Sequence, residues 1–242
     1  MESFSHTSMR SPEMSCVLVI MAKAPKPGMV KTRLAQNLPP PSITELYRCL
    51  LADTMALARS LGNVEVAIMC PASDVDELVC LAGDGVRVVA QTGEGLAAGL
   101  TSVFACFAAA GHRRIIAFNS DSPHLPASVL ENAFEALGAY DVVVGPTHDG
   151  GYYMVGARAV HPGLFNGDRM GTSNAFETLL ARTQALGLSL RFADPFYDID
   201  MASDLIRLDA ELRLAPARAP RTAAWLAAWR QVVLQLPGTG EM

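Results

Sequence analysis

Cysteine is scarce and unpatterned in this sequence of 242 residues. The five thiols, Cys16, Cys49, Cys70, Cys80 and Cys106, are odd in number and form no Cys-x-x-Cys pair. Neither a structural zinc site nor a disulfide framework is therefore indicated. Set in apolar stretches, they read as buried, unreactive thiols. Long hydrophobic runs are missing too, since nothing approaches the roughly 18 to 20 apolar residues that span a bilayer. The apolar run 16–22 passes straight into a Lys/Pro-rich loop without a small-residue cleavage site, which argues against a signal peptide. Positive charge is in deficit: Lys and Arg total 19 against 24 Asp and Glu, a net charge of −5. A generic nucleic-acid binder usually shows the opposite balance.

What is present is core-forming material. Half the residues are hydrophobic and only 18% are charged, which excludes disorder as the main state. The length suits one large domain. The polar, aperiodic start reads as a flexible leader over 1–14, with Met14 an alternative start. The expected single domain covers 15–236, followed by a tail at 237–242, and a cytoplasmic protein is expected.

Strand-like runs rich in Val and Ile fall at 16–22, 64–70, 86–90, 114–119 and 141–145, with helix-like segments near 42–60, 73–82, 96–110 and 126–138. Continuous rather than alternating apolar strands suit a parallel sheet covered on both faces. Their alternation with helices implies right-handed crossovers and a three-layer α/β fold. Beyond 145 the rhythm changes. A Gly-rich turn at 147–151 leads to a strand at 152–157, a helix near 174–186 capped by Thr172 or Ser173, a short strand at 188–193 and a helix over 201–214. A C-terminal helix carries Trp225 and Trp229, four apart and so on one face, which predicts docking onto the core.

Ligands of open parallel sheets bind beyond the carboxyl ends of the strands, and three such ends are unusual. The first opens into Ala22-Lys23-Ala24-Pro25-Lys26-Pro27-Gly28-Met29-Val30-Lys31-Thr32-Arg33, with four cations and no acid between 23 and 33. Such a loop is either an anion site, where Gly28 lets the backbone approach a phosphate, or a solvated charged face. It is not a Walker A loop, because Lys31-Thr32 lacks the preceding glycines. The fourth strand ends in Asn119-Ser120-Asp121-Ser122-Pro123-His124, where Asp121 is a hard-cation ligand or a helix cap. The third is Asp198-Ile199-Asp200, either of whose acids completes a metal site with Asp121 or stabilises the following helix N-terminus. His124 and His148, beside these acids, read as surface histidines or else as residues that touch a metal. The Gly93-Glu94-Gly95-Leu96-Ala97-Ala98 run matches a dinucleotide fingerprint, but on the wrong strand and with the 23–33 cations left over.

The ordered set AKAPKPGMVKTRL, NSDSPHLP, GPTHDGGYYMVGAR and DIDMASDL resembles the DUF2064 group of bacterial GT-A-type glycosyltransferases. It is similar, more remotely, to the molybdenum-cofactor and phospholactate guanylyltransferases. The resemblance implies a Rossmann-like fold with a mostly parallel central sheet that binds nucleotide-diphospho-sugars. It also implies Mg2+ or Mn2+ bridging the diphosphate, held by Asp121 and Asp200. Lys23, Lys31 and Arg33, with Ala22 and Gly28, are then the candidate nucleotide and phosphate contacts, and Lys31 is also a candidate catalytic group. Asp149 is the candidate base for an acceptor hydroxyl, or else a turn former, with Gly150 and Gly151 on the acceptor side. The activity implied is transfer from a nucleotide sugar to a small acceptor; the alternatives are nucleotidyl transfer from a nucleoside triphosphate, or nucleotide sensing without turnover. One departure bears on activity: where relatives read Gln-x-Gly-x-Asp-Leu-Gly-x-Arg, the acid and arginine positions here are Gly95 and Gly99.

Overall fold

The computed structural model describes residues 16–166 and 173–235. The expected leader and tail lie outside them, as does Thr172. A seven-stranded sheet organises the chain, formed by β1 (Cys16–Met21), β2 (Val64–Cys70), β3 (Arg87–Ala90), β4 (Arg114–Asn119), β5 (Val142–Pro146), β6 (Tyr152–Ala157) and β7 (Leu190–Phe192). Their spatial order is β3-β2-β1-β4-β6-β5-β7, with β6 antiparallel to both neighbours and every other pair parallel. This is the expected α/β architecture, a mixed but mostly parallel GT-A-like sheet.

The central strands are apolar on both faces because both faces are covered. Val17, Leu18, Val19 and Ile20 are all fully buried. Leu18 and Ile20 point into one core with α1 (Pro40–Ser60), α2 (Val75–Ala82) and α4 (Ala127–Ala136), which also takes in Ile68, Phe118 and Phe134. Val17 and Val19 point into the other, with Phe104 and Phe107 of α3 (Gly95–Ala109) and Leu179 of α5 (Ala175–Ala185). At about 1.5–3 kcal/mol per fully buried side chain of this size, no other placement of β1 competes. A third cluster covers the outer face of α1. There Leu46 and Leu50 meet Leu205 and Leu208 of α6 (Ala202–Leu214) and Trp225 of α7 (Pro220–Val233). The tryptophans stack at 5.5 Å, and Trp225 is buried, as their spacing predicts.

Two local expectations need correction. α5 begins after Asn174, not Thr172 or Ser173, because its first turn packs onto the 147–151 turn through Phe176 N–H donating to Gly150 O. The cysteines are not uniformly buried either. Cys70 is buried, but Cys80 is exposed on α2, a short helix that covers the sheet with only one side.

Candidate functional site

The strand order reverses between β1 and β4: from β1 the chain builds outward through β2 and β3, then returns to place β4 on β1's other side. Met21 pairs with Asn119, so the carboxyl ends of these two strands are level, and the loops they feed diverge from one crevice. The 147–151 turn leaves the same edge, because β5 runs parallel to β4.

Asp121 stands just beyond β4. Two hydrogen bonds tie the distant 197–200 segment to it: Ser122 Oγ donates to Tyr197 O at 3.0 Å, and Ile199 N–H donates to Asp121 O at 3.2 Å. Ile199 plugs the core at 0% exposure. Its neighbours Asp198 and Asp200 emerge together on the opposite side, and oxygen atoms of Asp121, Asp198 and Asp200 lie within 4.8 Å of one another. Beneath them the hydroxyl of Tyr47, from α1, accepts from Lys23 N–H at 3.2 Å and bonds Ser120 Oγ at 3.0 Å, so α1 braces both loops.

Lys31 reaches into this acidic group. Its ammonium lies 2.8 Å from Asp121 Oδ2 and 3.0 Å from Asp200 Oδ1, with the side chain only 3% exposed. Arg33 pairs with the other oxygen of Asp200 at 2.9 Å. Burial pulls the Lys31 pKa down, but the Asp121 and Asp200 carboxylates outweigh it and hold the ammonium more firmly protonated than usual. Asp200 goes the other way: against its own burial, Lys31 and Arg33 keep its carboxyl below the ordinary range. Among the described residues Asp198 has no ion pair of that kind. Burial, reinforced by Asp121, Asp200 and Asp149 and opposed by Lys31, pushes its pKa up to about 6. Three oxygen ligands around a place already held by a cation are the donor set a hard divalent ion takes. The residues thus fit Mg2+ or Mn2+.

The other expected residues fall around this centre. Ala22 is buried at the loop's start, and Lys23 is exposed. Lys26 turns away to Asp74 at 2.6 Å, outside the cluster. Gly28 has φ +75 and open space around it. Asp149 closes its own turn, with Oδ1 accepting from Thr147 Oγ1 and from Gly151 N–H, while its charge is felt at Asp198. Gly150 is required by packing: at φ +87, an added Cβ would lie 1.9 Å from Ser173 O. At Gly99 an added Cβ would meet Gln91 Oε1 and Met21 Cε, each at 2.8 Å. A side chain at position 99 would therefore press against Gln91, whose Nε2 donates to Gly93 O. A cleft of about 890 Å³ opens beside it, lined by Met69, Ala90, Thr92, Ala98, Ser102 and Phe165.

His124 is not a surface residue. It is fully buried between Phe196 and Tyr197, at ring distances of 4.8 and 4.7 Å. The whole stretch 122–125 between β4 and α4 is buried with it, which no single-residue preference reveals. At the amino end of α6 the capping carboxylate is Asp204, accepting from Asp200 N–H at 2.9 Å and Met201 N–H at 2.6 Å. Tyr47 was missed altogether, because one tyrosine within an amphipathic helix carries no separate signal.

Residues 54–172 match the model of a family described as an uncharacterized protein conserved in bacteria, DUF2064. Among solved structures, the chain is similar to a protein from Desulfovibrio desulfuricans G20 provisionally named a nucleotide-diphospho-sugar transferase. The TM-score is 0.85 at 25% identity, over 91% of this chain and 97% of that one. It is also similar to a nucleotidyl transferase from Methanothermobacter thermautotroptrophicus (TM-score 0.53, 22% identity, 83% and 99% covered). A third similar structure is a 4-diphosphocytidyl-2C-methyl-D-erythritol synthase from Anaerococcus prevotii (TM-score 0.54, 10% identity, 82% and 96% covered). The last two likenesses concern the fold alone. No curated protein matches the chain.

Proposed function

We propose that this chain of the DUF2064 family is a metal-dependent transferase that binds a nucleotide diphosphate and transfers the sugar of a nucleotide-sugar donor to a small-molecule acceptor. The observation that carries the reading is the convergence of Asp121, Asp198 and Asp200 with Lys31 and Arg33 at the β1/β4 crevice. The likeness to the Desulfovibrio protein over nearly the whole of both chains supports the donor class.

Asp121 and Asp200, with Asp198, are the residues to hold Mg2+ or Mn2+. Bound there, the ion supplies fixed positive charge where negative charge builds on phosphate oxygens. Lys23, Lys31 and Arg33 add charge-assisted hydrogen bonds to the same oxygens, and Ala22 and Gly28 let the backbone come close. The cleft beside Gln91 offers room for the nucleoside. On the other flank, the turn through Gly150 and Gly151 holds Asp149 toward the acceptor. Its Oδ1 is engaged in the turn, and Oδ2 is the oxygen to take the acceptor's proton.

Nucleotidyl transfer is the second reading, since the same carboxylates and cations would serve it and the fold is shared with nucleotidyl transferases. The products distinguish the two: pyrophosphate for nucleotidyl transfer, a free nucleoside phosphate for glycosyl transfer. The first experiment is a thermal-shift panel of nucleotides, nucleotide sugars and NAD(P) with and without Mn2+. A ligand at about 100 times its Kd adds about 2.7 kcal/mol of stability. Metal-dependent stabilisation by a nucleotide or nucleotide sugar is expected, and Asp121→Ala should abolish it while the protein stays folded. Stabilisation by NAD(P) alone, indifferent to metal, refutes the reading.

A further inference from the structure

Lys31 occupies an unusual position for a residue meant to meet phosphate. Its backbone is left-handed, at φ 49 and ψ 42, which a side chain with a β-carbon adopts only at some cost. That turn aims the side chain inward, where it is almost wholly buried. The ammonium lies within 3.0 Å of one oxygen of Asp121 and one of Asp200, two of the three acids that fit a metal. A hard divalent ion bound by these same oxygens would stand about 2.0–2.2 Å from each. Ion and ammonium would then compete for the same lone pairs, and at such short range their like charges oppose joint occupancy.

We propose that Lys31 is a resident counter-cation which a divalent ion must displace, and that this displacement frees it to bind a phosphate. The inference rests on the metal–diphosphate reading above and adds an order to it. Without the ion, Asp121, Asp198 and Asp200 face Lys31 and Arg33, and the five groups carry one net negative charge when ionised. An anionic donor is repelled, and the ammonium is already spent on carboxylates. With a divalent ion seated, the same groups and the ion carry one net positive charge, and Lys31 has lost its partners. The donor's phosphates then meet both an attractive centre and a free ammonium. Val30 and Leu34 anchor the loop in the core on either side of Lys31, so the release needs only the Lys31 side chain to swing toward the open stretch at Gly28 and Met29, which is 62% exposed. Metal and phosphate binding are coupled because the ion takes the ammonium's carboxylate partners and the phosphate gives it a new one.

Two measurements on the full chain test this. In the first, Mn2+ alone is titrated into wild type and Lys31→Met and followed by electron paramagnetic resonance. The substitution removes the competing charge at similar volume, so Mn2+ should bind at least about tenfold more tightly. The second uses wild type only, and so stands even if Lys31→Met fails to fold. Surface amines are acetylated with and without saturating Mn2+, and Lys31 is quantified by mass spectrometry. Labelling of Lys31 should be slow without the ion and rise severalfold with it, while labelling of the outward-turned Lys23 stays constant. Equal Mn2+ affinity in both proteins, or Lys31 still protected once Mn2+ is bound, overturns the displacement and leaves the metal site standing. Failure of both proteins to bind Mn2+ instead refutes the metal reading on which the inference rests.

Discussion

Replacing His124 with Phe should make the protein more resistant to acid than the wild type. The imidazole is fully buried, ringed by Phe196 and Tyr197, and neither of its nitrogens has a hydrogen-bond partner among the described residues. Burial, followed by the positive charges of Arg207 and Arg218, pushes its pKa down from 6.5 to about 3. Because the folded value lies below the unfolded one, the unfolded chain takes up the proton first. The stability this group contributes is complete above pH 6.5 and is lost as pH falls toward 3. At about pH 4.5, two units into that window, the loss is about 2.7 kcal/mol, at about 1.36 kcal/mol per unit. Phe cannot titrate, and its similar volume limits the packing change at pH 7 to about 1.5 kcal/mol or less. Urea unfolding of both proteins at pH 7 and at about pH 4.5, followed by tryptophan fluorescence, isolates the effect. Constant packing terms and every carboxylate common to both proteins cancel in the double difference. The wild type should lose roughly 3 kcal/mol more than the variant across that interval. Parallel losses would show that His124 is protonated without penalty, and the buried, unpartnered description would be wrong.

Other outcomes follow from the same kind of bonding. Asp53, buried on α1, accepts from Thr222 N–H at 2.7 Å, Thr222 Oγ at 2.8 Å and Arg221 N–H at 3.3 Å, and so holds the amino end of α7 from another element. Asp53→Ala should cost about 2–4 kcal/mol in urea unfolding and expose α7 to limited proteolysis; an unchanged midpoint would mean that α7 is held by its tryptophans alone. Gly150→Ala should cost about 2 kcal/mol or more, because the conformation is left-handed and Ser173 O stands in the way. A melting temperature within a degree of wild type would show that the turn can move aside.

The fold was legible because its signals are local and repeated. Continuous Val/Ile strands, helix-length spacers and a change of rhythm at the Gly-rich turn each mark one element, and the seven strands fall where those patterns do. The antiparallel placement of β6 was less so, because strand direction depends on where a turn sends the chain and not on composition. The site was legible only in part. Asp121, Lys31, Arg33 and Asp200 stand out as charges beside apolar strand ends, but what Lys31 touches depends on a single left-handed residue that no spacing announces. His124 follows a related rule: a histidine beside acids looks like surface until the loop that carries it is seen to be buried over 122–125.

Asp198 makes a sharper case, since its signal was present and halved. Choosing one of Asp198 and Asp200 treats them as rivals, whereas in an extended segment side chains alternate, so residues two apart share a face. Ile199 between them is the apolar residue such a segment buries, and it is fully buried. A hydrophobic residue flanked by two acids, on a segment hydrogen-bonded to a strand end, therefore delivers both acids to the same side. Once Ser122 and Asp121 hold Tyr197 and Ile199 in place, Asp198 and Asp200 reach Asp121 together. The cation loop then opposes three carboxylates, and at three acids against two basic groups the site calls for one more positive charge than the protein itself supplies.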